Sequence, residues 1–124
     1  MGTWDEMRDI QWIDSVSPMV PTSELTDPAV RAFVHAVNAH DRDALHAAMT
    51  ANATMTDDGS PRALADWLTR EVFDTNGRMD VASQSEDGRD LVVDYTNDQW
   101  GQMRTRWHFE VLDHRVAHFD TGQA

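Results

Sequence analysis

The stretch that decides the fold is DPAVRAFVHAVNAHDRDALHAAMTANATMTDDG, residues 27–59. Asp27 is a good N-cap and Pro28 suits the first helical position, so the sequence predicts that a helix begins here. Apolar residues then recur at i, i+3, i+4 and i+7, which predicts one buried stripe made by Val30, Phe33, Val34 and Val37. The polar run 38–41 is expected to end this helix.

The second half of the stretch predicts a short helix, a strand and a turn. Asp43 is expected to cap a helix that carries Leu45, Ala48 and Met49. Residues 53–56 alternate and are rich in threonine, which is typical of a strand, and the Asp57-Asp58-Gly59 run favours a turn. Ser60 and Pro61 are then expected to open a third helix that ends at residues 76–77. Its predicted buried stripe is Leu64, Trp67, Leu68 and Val72.

From residue 78 onward the pattern indicates β-structure. Strands are predicted over residues 79–85, 91–99, 103–112 and 115–121, with turns at 86–88, 100–102 and 113–114. Alternation places one set of side chains on the inner face of the sheet. That set is Met103, Thr105, Trp107, Phe109 and Val111, with Leu91, Val93, Tyr95, Asn97 and Gln99 on one neighbouring strand and Ala117, Phe119 and Thr121 on the other. Helices followed by antiparallel strands predict an α+β domain.

Composition excludes several classes of chemistry. The 124 residues include no cysteine, and all ten basic residues are arginine. The chain therefore has no thiol nucleophile and no lysine for Schiff-base chemistry. It also has no glycine-rich phosphate loop, so we expect no cofactor. His108, Glu110 and His118 could converge on the outer face of the sheet as metal ligands, but a polar or dimer-facing surface is the preferred interpretation, and no metal site is predicted. Arginine in place of lysine is typical of a GC-rich bacterial genome.

Charge and hydropathy limit the partners. A formal net charge of −12 repels nucleic acid and anionic lipid, so neither is an expected partner. No apolar run is long enough for a membrane span, and the acidic N-terminus does not resemble a secretory signal. These features predict a cytoplasmic protein.

The chain divides into an extension, residues 1–26, and a domain, residues 27–124. The extension has apolar residues at near-helical spacing, and Pro18 and Pro21 limit any helix there. Those apolar residues are Trp4, Met7, Ile10, Ile13 and Val16. Two interpretations stay open: an appended helix that covers an apolar patch of the body or of a partner, or a non-native leader with Met19 as the true start.

The element order, the pattern NAHDRDAL, the strand NATMTDDG and the hairpin RTRWHFEVLDHRVAHFD resemble the nuclear transport factor 2-like superfamily. That superfamily includes SnoaL-like proteins and ketosteroid isomerases. The resemblance implies a curved antiparallel sheet wrapped around helices, forming a cone with an internal pocket for a small molecule. It also implies a homodimer formed through the outer sheet face, which here carries Arg104, Arg106, His108 and Glu110.

The resemblance also suggests a catalytic residue. Ketosteroid isomerases end their first strand with alanine, threonine, an apolar residue, a polar residue and an aspartate, and residues 53–57 here are ATMTD. Asp57 thus falls on the position of the general base. A carboxylate at the mouth of an apolar cone is partly desolvated, which strengthens it as a base. The two oxyanion donors of that family fall on Phe33 and Trp107, so steroid isomerase activity is not expected. The alternative is that Asp57 and Asp58 only cap a helix at Ser60.

The leading hypothesis is a small-molecule pocket protein that acts as an acid–base isomerase, cyclase or hydrolase on an apolar substrate. Asp57 is the predicted base. The predicted substrate-binding residues are Phe33, Val37, Trp67, Tyr95, Asn97, Trp107 and Phe119. The alternative is a non-catalytic ligand-binding or dimeric interaction module. A third interpretation has the N-terminal segment dock on a partner through Trp4, Ile10 and Trp12.

Overall fold

A computed structural model describes residues 19–124, and the helix predicted near residues 4–16 lies outside this range. A 3-10 turn (Thr22–Glu24) is followed by three helices: α1 (Pro28–Ala39), α2 (Arg42–Ala47) and α3 (Leu64–Leu68). Helix α3 continues as a π-helical turn (Thr69–Phe73). The strands are β1 (Met49–Asp57), β2 (Ser60–Arg62), β3 (Arg78–Gln84), β4 (Asp90–Asn97), β5 (Gly101–Leu112) and β6 (Arg115–Gln123). None of the helices in this range is long and apolar enough to cross a membrane.

The strands form one curved six-stranded sheet in the order β2-β1-β6-β5-β4-β3. Strands β3 to β6 are antiparallel neighbours, whereas β1 pairs with β6 in parallel. The predicted α+β class is confirmed, with the difference that this one seam of the sheet is parallel. A parallel pair needs a long connection between its two strands, and here α3 and strands β3 to β5 lie between β1 and β6 in the chain.

Helix α1 begins and packs as predicted. The Asp27 carboxylate accepts hydrogen bonds from the backbone N–H groups of Ala29 at 2.8 Å and Val30 at 3.2 Å, and Pro28 occupies the first turn. Arg89 also donates to Asp27 at 2.9 Å, which ties the helix start to the turn before β4. The predicted apolar stripe is fully buried, and the helix ends with His40 in the left-handed conformation.

Helix α2 starts earlier than predicted. Its cap is Asp41, whose carboxylate accepts the Ala44 N–H at 3.0 Å, and Asp43 lies within the first turn. His40 already reverses the chain in the left-handed region, so the next aspartate is the first able to cap. The helix also ends earlier than predicted, at Ala47, and Met49, predicted to be helical, begins β1.

Ser60 and Pro61 do not open a helix. They form the short edge strand β2, which pairs with the end of β1 through the register Met55↔Arg62 and Asp57↔Ser60. The two turn residues, Asp58 and Gly59, have φ values of 50° and 80°. Positive φ at both positions matches the right-handed twist of a tight two-residue hairpin. The alternative that Asp57 and Asp58 cap a helix at Ser60 is therefore wrong, because α3 starts four residues later.

The inner and outer faces of β5 alternate as predicted, but the two flanking strands each contain one exception. Gln99 lies beyond the end of β4 in an exposed turn, so it is not part of the inner face. In β6, the register shifts opposite Glu110 and Val111, which marks a β-bulge. Val116, predicted to face outward, is fully buried as a result, while Ala117 is only partly buried. The prediction assumed unbroken alternation, which a bulge interrupts.

Strand β3 forms one edge of the sheet, and side chains and backbone from elsewhere cover it. The Asn38 amide donates to the Met79 carbonyl at 2.8 Å and accepts the Met79 N–H at 2.7 Å. The Val20 N–H donates to the Val81 carbonyl at 2.8 Å. The carboxyl end of helix α1 is thus fixed to the edge strand.

Candidate functional site

A cavity of about 370 Å³ opens where β1, β4 and β6 end and β5 begins. Five apolar or aromatic side chains line it, namely Trp67, Tyr95, Trp100, Met103 and Trp107. Its polar lining includes Asp57, Asp58, Arg62, Arg70, Glu71 and Asn97. Aromatic walls with a few converging polar groups are typical of a small-molecule binding site.

The structure brings together five of the predicted site residues and separates three. Asp57, Trp67, Tyr95, Asn97 and Trp107 all line the cavity. Phe33, Val37 and Phe119 lie instead in the core, each at most 1% exposed.

The core below the cavity is filled by aromatic rings. The Phe33 ring packs edge-on against Phe109 at 5.2 Å and Phe119 at 5.1 Å, and Trp107 stacks on Phe119 at 5.5 Å. Phe33 and Phe119 therefore contact Trp107, which lines the cavity, without lining it themselves, and Val37 belongs to the same core cluster.

Asp57 is the last residue of β1, and its carboxylate is oriented by the aromatic wall. Trp67, from α3, donates its indole N–H to the Asp57 Oδ2 atom at 3.3 Å. The Trp67 ring is itself held edge-on against Trp107 at 6.1 Å and Phe119 at 5.9 Å. Within residues 19–124 this indole is the one hydrogen-bond donor to the Asp57 side chain. The carboxylate thus keeps lone pairs that can accept a proton from a molecule in the cavity.

Asp58, although adjacent in sequence, is in a different environment. Its side chain is 68% exposed and forms an ion pair with Arg106 at 3.5 Å. Its backbone N–H donates to the Thr121 carbonyl at 2.7 Å, and its carboxylate lies directly against Gly122, where a Cβ atom would approach it to 2.1 Å. Asp58 therefore fixes the hairpin turn onto β6 at the rim of the cavity, whereas Asp57 accepts the indole N–H of the aromatic wall.

Asp120, on the outer face of β6, anchors the same hairpin. Its carboxylate accepts hydrogen bonds from the Thr56 hydroxyl, from the Gly59 N–H at 3.1 Å and from Arg106 at 2.6 Å. Partial burial of Asp120 opposes its ionisation, but these three donors outweigh that effect and hold the pKa of the carboxyl below its usual value. The turn that carries Asp57 is thus held by a charged network outside the cavity.

Most polar groups of the cavity wall already have partners inside the protein. The Tyr95 hydroxyl donates to the Glu71 backbone carbonyl at 2.6 Å, and the Trp107 indole N–H donates to the Thr105 hydroxyl at 2.9 Å. The side-chain Oδ1 atom of Asn97 accepts hydrogen bonds from the backbone N–H groups of Gln99 at 3.1 Å and Trp100 at 2.7 Å. Burial, and then the nearby Glu71 carboxylate, raise the pKa of Tyr95, so its phenol stays protonated. These residues mainly give the cavity its shape.

The mouth of the cavity carries charged residues that the sequence interpretation missed. Arg70 forms an ion pair with the half-buried Glu71 at 3.0 Å. Arg62 lies opposite Met55 in the β1–β2 hairpin, so both side chains share the inner face of the sheet. The signal for Arg62 was present in the Asp58-Gly59 pair, which favours a tight hairpin when flanked by strands. Among residues 19–124 no cluster of three or more acidic or histidine side chains is placed to hold a metal ion.

Comparison with known proteins identifies the fold. Neither a protein-family model nor a curated protein matches the sequence significantly. Among solved structures, a protein provisionally named a polyketide cyclase from Sinorhizobium meliloti has a TM-score of 0.67 and 17% identity over 82% of this chain and 99% of its own. An NTF2-like protein of unknown function from Cytophaga hutchinsonii has a TM-score of 0.60 and 14% identity over 84% of this chain and 90% of its own. An LEH-like epoxide hydrolase from M. tuberculosis has a TM-score of 0.61 and 21% identity over 78% and 80%.

These similarities define the class. The chain has the cone fold of the nuclear transport factor 2-like proteins, as the resemblance in its sequence implied. The identities are too low to carry an activity from any of these proteins, since one fold hosts many functions. The function of this chain depends on the residues that line its own cavity.

Proposed function

We propose that the cavity binds a small, mostly apolar molecule and that Asp57 acts on it as a general base. The observation that carries this proposal is the Asp57 carboxylate, which borders an aromatic cavity and is oriented by the Trp67 indole at 3.3 Å. The cavity volume of about 370 Å³ lies within the usual range for small-molecule sites. Isomerisation, cyclisation and hydrolysis are the reaction classes that a lone carboxylate base supports.

The contrast between the two adjacent aspartates supports this assignment. A base must reach the proton that it removes, and its carboxylate must not be held in a direct ion pair within the protein. Asp58 is paired with Arg106 and mostly exposed to solvent, whereas Asp57 receives one neutral indole donor and faces aromatic rings. The Asp57 carboxylate therefore borders the cavity with lone pairs that a bound molecule can reach.

The proposal can be tested before the natural substrate is known. In the Kemp reaction of 5-nitrobenzisoxazole, a base takes the C3 proton, the N–O bond breaks, and a coloured cyanophenolate forms. We expect saturable turnover by the wild type and a decrease in kcat of about 100-fold or more in Asp57→Asn, the lower range for loss of a general base. Asp58→Asn is the matched control, because it makes the same chemical change one residue away, and it should retain nearly the wild-type rate.

Two outcomes separate catalysis from binding. If Asp57→Asn and Asp58→Asn both keep the wild-type rate, Asp57 is not the base. Binding is followed independently through the emission of Trp67, Trp100 and Trp107, which line the cavity. Tight quenching by the neutral dye Nile red without turnover of the probe would favour the second candidate, a non-catalytic binding protein. The internally satisfied donors of Tyr95 and Trp107 are the observation in favour of that candidate.

The proposed assembly is a homodimer formed through the outer face of the sheet. That face presents charges of both signs on β5, and Leu112 at its end is 60% exposed. Exposed leucine beside charged residues is suited to an interface with an apolar centre and a polar rim. The cavity opens on the inner face, so dimerisation of this kind leaves it accessible.

A further inference from the structure

Arg62 is placed beside Asp57 by the geometry of the β1–β2 hairpin. Asp57 pairs with Ser60 and Met55 pairs with Arg62, so Asp57 and Arg62 are diagonal neighbours across the two strands. Residues paired in this way point to the same face, and diagonal neighbours lie roughly 7–8 Å apart, within reach of a long side chain. Both residues line the cavity. The tight turn at Asp58 and Gly59 fixes this arrangement.

Arg62 also differs from the other hydrogen-bond donors of the cavity. The indole N–H groups of Trp67 and Trp107 and the Tyr95 hydroxyl are each donated to a protein acceptor. Within residues 19–124, Arg70 forms an ion pair with Glu71, and the other arginine ion pairs lie outside the cavity or at its rim. None of these ion pairs involves Arg62. Within residues 19–124 the Arg62 guanidinium is therefore a cationic donor group of the cavity that no ion pair engages.

Asp57 and Arg62 together fit one kind of reaction. When a base removes a proton from carbon next to a carbonyl group, negative charge moves from the base to the carbonyl oxygen, and a cation near that oxygen lowers the barrier. We propose that Arg62 is the catalytic residue that stabilises this oxygen, and that the substrates are uncharged carbonyl compounds with an acidic C–H bond. This inference rests on the proposed role of Asp57 as the base.

The proton and the electrons balance within the substrate and one carboxylate. Asp57 accepts the proton, the C–H electron pair forms a carbon–carbon double bond, and the carbonyl π electrons move to oxygen, which becomes an enolate beside Arg62. If the Asp57 carboxyl first exchanges its proton with the solvent, return of a solvent-derived proton or deuteron to the same carbon completes an exchange. In a ketone with a neighbouring carbon–carbon double bond, return of the proton to the far carbon of the dienolate completes an isomerisation. No oxidant, metal or cofactor is needed for this step.

Local and overall charge favour an uncharged substrate. Asp57, Asp58 and Glu71 border the cavity, and the chain carries a formal net charge of −12. An anionic ligand would therefore be repelled before it reached Arg62. A neutral ketone avoids that repulsion and gains the attraction of the guanidinium only as its oxygen becomes negative, so the interaction favours the transition state over the bound substrate.

The test uses 2-tetralone, an uncharged ketone with acidic protons at C1, in D₂O. NMR measures the rate of deuterium incorporation at C1, and tryptophan quenching measures the Kd. We expect Arg62→Gln to slow exchange at saturation by about 10- to 100-fold, less than for a buried oxyanion donor, because Arg62 is exposed and solvent screens its charge. The Kd should change less than threefold, which corresponds to less than about 0.7 kcal/mol.

Two controls separate catalysis from structure. Arg62→Lys keeps the positive charge and should restore most of the exchange rate. Arg115→Gln removes an exposed arginine at the opposite end of β6, outside the cavity, and should leave the exchange rate unchanged. A loss of folding in Arg62→Gln would appear as a change in far-UV circular dichroism, and in that case the comparison of Arg62→Lys with wild type, at fixed Kd, decides the question.

The outcomes for this inference and for the proposed function are distinct. Slow exchange in both Asp57→Asn and Arg62→Gln supports the pair. Loss of exchange in Asp57→Asn with wild-type exchange in Arg62→Gln overturns the role of Arg62 and leaves the base in place. Wild-type exchange in Asp57→Asn overturns the base, and the inference falls with it. An equal loss in Arg62→Gln and Arg62→Lys, with a raised Kd, would show that Arg62 only shapes the cavity.

Discussion

The contact between Gly77 and the Tyr95 hydroxyl at the wall of the cavity leads to a quantitative prediction. A Cβ atom at residue 77 would lie 2.0 Å from the Tyr95 hydroxyl oxygen and 3.0 Å from the Glu71 carbonyl oxygen. Gly77 does not have a positive φ, so Gly77→Ala adds a steric conflict without backbone strain. Overpacking of this kind costs about 1–3 kcal/mol of unfolding free energy, and the upper half of that range is expected because the phenol is buried and hydrogen-bonded.

Removal of the hydroxyl should relieve much of this cost. Tyr95→Phe loses the 2.6 Å hydrogen bond to the Glu71 carbonyl, which is expected to cost about 1 kcal/mol by itself. In the double variant the alanine methyl occupies the space vacated by the hydroxyl, although the ring carbon Cζ remains 3.0 Å away, so the rescue is partial. We therefore expect a favourable coupling energy of about 1–2 kcal/mol between the two substitutions.

Urea unfolding of the four proteins measures this coupling, with far-UV circular dichroism as the signal and linear extrapolation to water. The wild type, the two single variants and the double variant should share one m-value if unfolding is two-state. Strict additivity, within about 0.5 kcal/mol, would refute the reasoning, because it would mean that Tyr95 does not point at Gly77. Since Tyr95 forms part of the cavity wall, that result would also change the shape assigned to the site.

Two further predictions concern the outer face of the sheet. The pKa of Asp120 is lowered in the folded state, so its contribution to stability is present above the unfolded value of about 3.9 and is lost as pH falls through the folded pKa. The urea midpoint of wild type should therefore exceed that of Asp120→Asn most at pH 5–7, taken as roughly one to three units above that value, and the difference should shrink below about pH 4; a constant difference would contradict the assignment. Sedimentation equilibrium should give twice the 14.1 kDa chain mass, and Leu112→Asp should shift the protein toward monomer; a monomeric wild type would exclude the dimer.

Local chemistry made part of the fold predictable. Asp27 and Pro28 place the start of α1 because capping depends on neighbours in sequence. The alternation of β5 was predictable because that strand is regular over its full length and one of its faces is dry. The tight turn at Asp113 and His114, with φ values of 51° and 65°, was also predicted from its position between two alternating segments.

The errors arose where tertiary contacts decide between two local options. Asp41 and Asp43 are both competent caps, and only the left-handed residue His40 selects the first. Ser60 and Pro61 suit a helix start, but pairing with β1 makes them a strand. The bulge in β6 turns Val116 inward, and no feature of the sequence marks that bulge.

The candidate site was predictable only in part for a related reason. The aromatic residues of the inner face were identified correctly as a set, but alternation does not tell how deep along the cone each one lies. Phe33 and Phe119 fall below the cavity, while Trp67 and Trp107 reach it. Arg62 was missed because residues 60–62 were interpreted as the start of a helix. With the Asp58-Gly59 turn interpreted as a hairpin, Arg62 would have been predicted to lie near Asp57.

The parallel seam between β1 and β6 also affects when the site can form. Thr54 and His118, whose side chains bond at 2.8 Å across this seam, are 64 positions apart in the chain. Contacts of such long range are slow to form, since a large loop must close before any pairing compensates for it. Asp57 lies on β1, which pairs with β6 only after the intervening chain has been made. Asp58 and Asp120 anchor the hairpin turn beside Asp57 to the same strand, β6. The cavity can therefore form only after β6 has been synthesised and has paired with β1, so the walls of the site are among the last parts of the sheet to be completed.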